Sequence, residues 1–117
     1  MNTDVLEFEF TMGKSQVVGL REIIDAAAVR NIVATLTDNQ GNSAKYTVRP
    51  ANELEDATEN ACLLFLMRDG NIYQGYLKSI EEDDNMILVK PVTTKYTFGL
   101  PISGLFGWID MSQPIKE

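Results

Sequence analysis

The sequence predicts a mainly β chain of the α+β class, a small and strongly bent five-stranded barrel preceded by an N-terminal extension of strands and one helix. Three observations carry this. Short apolar segments recur at Cys62–Met67, Ile72–Ile80, Met86–Val89, Tyr96–Leu100 and Trp108–Met111, separated by turn signals, as in small β-barrels. Gly75 falls inside the second of them, where a glycine marks a bulge or corner. The first half alternates and then changes period, from two to that of a helix.

In chain order, Val5–Phe10 sets Leu6, Phe8 and Phe10 against Glu7 and Glu9, the period of a half-buried strand. Gly13-Lys14-Ser15 interrupts it and Gln16–Val18 follows as a second short strand. Leu20–Ala28 is the helix, with Leu20, Ile23, Ile24 and Ala27 on one face. Ile32–Thr37 is rich in β-branched residues, and the turn signal Asp38–Asn42 joins it to a returning strand over Ser43–Arg49. Pro50 ends that strand. The acidic stretch Ala51–Asn60 fits either one loose helical turn or an exposed loop. Cys62–Met67 is apolar almost throughout, which predicts cover on both faces. Asp69-Gly70 is a hairpin signal, because Gly supplies a positive φ, and Pro91 closes the third strand of this half.

At 117 residues the chain is expected to form one domain, 1–117, with residues 1–58 as the extension and 59–112 as the barrel core. No apolar run reaches the length of a membrane span, and MNTDVLEFEF has neither the basic start nor the apolar stretch of a secretory signal. With a single cysteine, Cys62, no internal disulfide can form, which fits a cytoplasmic location. The chain contains no histidine, so it lacks the commonest general base and metal ligand. A His-based triad is excluded, and no enzymatic activity, cofactor or metal is expected. The net charge of −7 opposes phosphate binding, since nucleic-acid binders present basic surfaces.

The stretch Ala61–Val89 resembles the first signature motif of the Sm/LSm family. An apolar strand runs into Arg68-Asp69-Gly70. Gly75 and Leu77 follow within the next strand, and Ile80-Glu81 leads through an acidic turn to Asn85. The second family motif matches less closely. Where the family carries an apolar residue, Arg-Gly and an acid or amide, this chain has Ile102-Ser103-Gly104-Leu105. The bacterial member Hfq has a Lys-His-Ala-Ile-Ser stretch there, of which only Ile102-Ser103 is kept. The resemblance is similar in kind to what divergent members from phage or environmental genomes would show. It implies a bent Sm-like, SH3-like barrel. Copies would close into a ring of roughly five to seven subunits, the fourth strand (Tyr96–Leu100) of one pairing with the fifth (Trp108–Met111) of the next.

It also implies an RNA-binding pore. Carried over residue by residue, Asn85 takes the base-reading place, Asp83 the stacking place, Ser103 the place of the stacking arginine, and Gly104 a backbone role. Asp83 has no aromatic face and Ser103 no charge, so the stacking sandwich, about 1–3 kcal/mol per base, is lost. Lys90 and Lys95 flank the loop Pro91–Thr94, and Lys95 is the candidate phosphate contact, although ordinary solubilising charge is the commoner use of such residues. Tyr73, Tyr76, Tyr96, Phe98, Phe106 and Trp108 could stack on bases, although core and interface use is commoner. Glu81–Asp84 could attract a hard cation, yet it lacks spaced ligands and fits a solvated turn. Gly13-Lys14-Ser15 lacks the upstream glycine of a phosphate-binding loop.

The leading expectation is therefore an oligomeric, non-catalytic Sm-like protein that binds single-stranded RNA or DNA in RNA processing or regulation. The alternative is a ring-forming structural or protein-interaction module without RNA binding, favoured by the acidic loop and the missing stacking residues.

Overall fold

Eight strands form one continuous sheet in the computed structural model, which describes residues 5–11, 31–38, 40–57, 60–92 and 95–115. They are β1 (Val5–Thr11), β2 (Asn31–Thr37), β3 (Ser43–Pro50), β4 (Cys62–Met67), β5 (Ile72–Glu81), β6 (Met86–Lys90), β7 (Phe98–Pro101) and β8 (Leu105–Asp110). Short 3₁₀ turns occupy Ala51–Asp56, Glu82–Asp84 and Ile102–Gly104. The spatial order is β1-β2-β3-β8-β4-β5-β6-β7. Among the described strands only the β1–β2 pair is parallel, and the other pairs are antiparallel.

The mainly β class expected from the sequence is therefore observed, but a closed five-stranded barrel is not. The sheet is open, with β1 and β7 at its two ends. The last five strands are contiguous within it, in the order β8-β4-β5-β6-β7. The extension joins them because β3 pairs with the outer side of β8, Arg49 opposite Trp108 and Pro50 opposite Gly107. Beyond β8 the chain stays beside β3, the Ile115 N–H donating to the Lys45 carbonyl at 2.7 Å. The strand expected over Trp108–Met111 begins three residues earlier, at Leu105, and the one expected from Tyr96 begins at Phe98. The expected helix Leu20–Ala28, the strand Gln16–Val18 and the Gly13-Lys14-Ser15 turn lie outside the described residues.

Strand β4 explains why the two halves hold together. Its residues alternate between two apolar clusters, so it is covered on both faces, as its unbroken apolar sequence predicts. Leu64 and Leu66 pack with Ile32, Ala34, Leu36 and Val48 of β2 and β3 and with Ile109. Leu63, Phe65 and Met67 pack with Ile87, Val89, Leu100, Leu105 and Trp108, and with Leu54 from the first 3₁₀ turn. Each fully buried side chain of this size stabilises the fold by about 1.5–3 kcal/mol, so β2 and β3 are part of the core.

The second-half strands bend where the sequence places its irregularities. A Cβ on Gly75 would sit 2.6 Å from the Lys90 carbonyl oxygen and from Val89 Cγ1, so only glycine permits β6 to approach this closely. Two residues on, the β5–β6 register shifts between Leu77 and Ser79, and such bulges bend and twist the strand that carries them. Tyr73 of β5 and Phe98 of β7 flank β6, yet their ring centroids are 5.7 Å apart. Two strand spacings in a flat sheet amount to about 9.5 Å, and curling shortens that gap.

Candidate functional site

The turn before β6 and the turn after β7 come together around Asn85. The 3₁₀ turn Glu82–Asp84 ends at this residue, which adopts the left-handed region with φ 52° and ψ 46°. Among non-glycine residues Asn tolerates that conformation best. Its N–H donates to the Glu82 carbonyl at 3.1 Å, and its own carbonyl accepts the Ile102 N–H at 3.1 Å. The side chain completes the clamp. Nδ2 donates to Ser103 Oγ at 3.0 Å, and Oδ1 accepts the Ser103 N–H at 3.0 Å.

Two of the residues singled out in the sequence, Asn85 and Ser103, are thus in direct contact. Gly104 lies next to them, its carbonyl accepting the Arg68 N–H at 2.8 Å, which ties this corner to the Asp69-Gly70 hairpin turn. A Cβ there would press to 3.1 Å from Pro101 Cγ and 3.3 Å from Met67 Cε. Asp83 is exposed on the 3₁₀ turn before Asn85. Lys95 is not brought to this corner. It lies in the connection from β6 to β7, whereas Asn85 precedes Met86 at the opposite end of that hairpin, where Met86 pairs with Pro101.

Beside the Asn85–Ser103 clamp is a pocket of about 350 Å³. Leu54, Ile80, Ile102 and Leu105 form its apolar floor with Ala51, and Asn52, Glu55, Glu82 and Asn85 form its polar rim. Glu55 comes from the first 3₁₀ turn and Glu82 from the second, both exposed. No cationic side chain among the described residues lines this pocket. Among the described residues no group of three acids or cysteines is placed to hold a metal ion.

Sequence reasoning missed the Ala51–Asp56 side of the pocket. Its signal is Leu54, a lone large apolar residue among acids, which is buried as the anchor of the turn. Arg49 fixes the turn from outside. Its guanidinium lies 5.2 Å from the Trp108 ring centroid, pairs with Glu53 at 2.8 Å and reaches Asp56 at 3.6 Å. The Trp108 Nε1–H donates to the Pro50 carbonyl at 3.1 Å. Both partners of Arg49 are carboxylates of the turn, so its positive charge is engaged there.

Of the aromatic residues considered as base platforms, Trp108 is buried, while Tyr76, Phe98 and Phe106 are half-buried. Tyr73 and Tyr96 are exposed, Tyr96 to 84%, but Tyr96 lies on the Lys95 side of the hairpin and not beside Asn85. Among the described residues no helix is long and apolar enough to cross a membrane. In comparison with known proteins, no family model, no curated protein and no solved structure matches this chain.

Proposed function

We propose that this chain is a non-catalytic protein-interaction module built on an Sm-like bent sheet, and that the pocket beside Asn85 is its working surface. One observation carries the reading: the pocket joins an apolar floor to a rim whose only charged groups among the described residues are Glu55 and Glu82. Such a surface repels phosphate, which dominates nucleic-acid affinity. Apolar floors with polar rims are instead the anatomy of protein interfaces. The Sm-like part of the reading is supported by the contiguity of β4 to β8, by Gly75 at the bend and by Asn85 at the turn.

A ring closed between the fourth and fifth strands has to contend with β3, which already pairs with β8 at Trp108 and Gly107. Where copies join, β7 is the end of the sheet in this half that offers backbone.

The second reading, single-stranded RNA binding, is favoured by the contact between Asn85 and Ser103, the two positions that the family resemblance assigns to a base pocket. Titrating the protein into fluorescent oligouridine, at low and at physiological salt, separates the two. The interaction-module reading expects no saturable binding at either salt. Saturable binding that weakens steeply as salt rises would replace it with the RNA reading.

A further inference from the structure

We propose that the pocket beside Asn85 receives a lysine or arginine side chain carried on an extended segment of a basic partner protein. The inference rests on the interaction-module reading and names its partner class. An anionic group would meet Glu55 and Glu82 with no cation in the described lining to offset them. A purely apolar group would cover the floor of Leu54, Ile80, Ile102 and Leu105 but strip water from the two rim carboxylates without replacing it, which is costly.

A basic side chain meets both demands. Its aliphatic stem lies on apolar surface while its charged head stays at the wet edge, here between carboxylates that two separate 3₁₀ turns bring to one opening. The amide of Asn52 adds a neutral acceptor at the same rim. At about 350 Å³ the space is near the lower limit for small-molecule sites, enough for an anchoring side chain and part of its neighbour. The chain's net charge of −7 disfavours a second copy as occupant and steers basic partners toward it.

The test follows the Ile80 and Ile102 methyl resonances by NMR during titration with an alternating Leu-Lys peptide. An alternating Leu-Glu peptide and spermidine serve as comparisons. Saturable shifts of both methyls are expected with the Leu-Lys peptide alone. Glu55→Gln combined with Glu82→Gln, both at exposed positions, should weaken that binding by about tenfold or more while leaving the circular dichroism spectrum unchanged. Ala51→Leu, which fills the floor, should block it without altering charge. The proposal is overturned if the methyls do not respond, if the Leu-Glu peptide shifts them equally, or if the double variant binds as tightly as the parent. Spermidine acting as well as the peptide would also overturn it, since the site would then hold a free cation. Absence of a methyl response together with absence of oligouridine binding defeats only the choice of occupant, whereas saturable oligouridine binding defeats the reading beneath it.

Discussion

Asn85 and Ser103 stand 18 residues apart and exchange two hydrogen bonds of 3.0 Å, through both polar atoms of one amide. The pairing locks the turn before β6 to the turn before β8 and so fixes one wall of the pocket. The amide and the left-handed backbone make separable contributions. Asn85→Gly keeps an easy positive φ and loses only the side-chain bonds, at a cost of about 0.5–1.5 kcal/mol for each exchanged bond. Asn85→Ala loses the same bonds and strains the backbone, adding about 1–2 kcal/mol. Urea unfolding should rank parent, Asn85→Gly and Asn85→Ala in falling order of stability. Equal stability of the two variants would mean that the φ of 52° stores no strain.

Gly107 is a point of close approach in the junction between β3 and β8. A Cβ there would lie 2.7 Å from the Arg49 carbonyl oxygen and 2.9 Å from Val48 Cγ1. The carbonyl belongs to the paired strand and cannot swing aside as a flexible side chain could. Gly107→Ala should therefore destabilise the protein by about 1–3 kcal/mol. Because β4 is packed from both sides, the unfolding should remain a single transition, followed together by Trp108 fluorescence and circular dichroism. Two separate transitions would show that β1–β3 fold apart from β4–β8.

How far the sequence discloses this molecule depends on whether the signal is local. The β2–β3 hairpin is legible because Ile32–Thr37, Asp38–Asn42 and Ser43–Arg49 are adjacent, and the observed pairing sets Thr37 opposite Ser43. Burial of β4 on both faces is legible from its composition, and the bend from Gly75. The junction of β3 with β8 was not legible. It joins Arg49 to Trp108, and nothing in the local pattern of either segment specifies a partner so distant in sequence. The parallel pairing of β1 with β2 escaped for the same reason. At the site, the Asn85–Ser103 corner follows from the resemblance of positions, but the pocket needs Leu54 and Glu55 from a stretch whose acidic composition fits a loop as well as a turn.

The Arg49 cluster tests whether the pocket's near wall depends on charge or on stacking. Arg49 lies over Trp108 and holds Glu53 and Asp56 of the turn that carries Leu54. These ion pairs are partly exposed, so each contributes only about 0–1 kcal/mol, while an exposed cation–π contact adds about 0.5–1 kcal/mol. Arg49→Lys keeps the charge but gives up the planar fork. It should cost less stability than Arg49→Ala, and high salt should narrow the difference between parent and Arg49→Ala by screening the ion pairs. A gap unaffected by salt would assign the role of Arg49 to its packing on the indole.

Asp38 gives the β2–β3 hairpin a defined response to acid. The Asn42 N–H donates to its Oδ1 at 2.9 Å, as does the Gln40 N–H at 2.9 Å. The Asn42 backbone bond is the largest cause that holds the Asp38 carboxyl below its ordinary value of 3.8; lost hydration, the next largest, opposes it, and the Gln40 bond adds to the lowering. The sign follows from linkage. A carboxylate whose folded pKa is depressed adds stability above its unfolded value and loses it as pH falls through the folded one. The hairpin should therefore hold at neutral pH and loosen as pH drops from just above 3.8 to below the lowered folded value. Amide chemical shifts of Gln40 and Asn42 should titrate together over that window, and Asp38→Asn should remove the transition, since its amide cannot change charge. Unchanged titration of both amides in Asp38→Asn would move the acid sensitivity to another carboxylate.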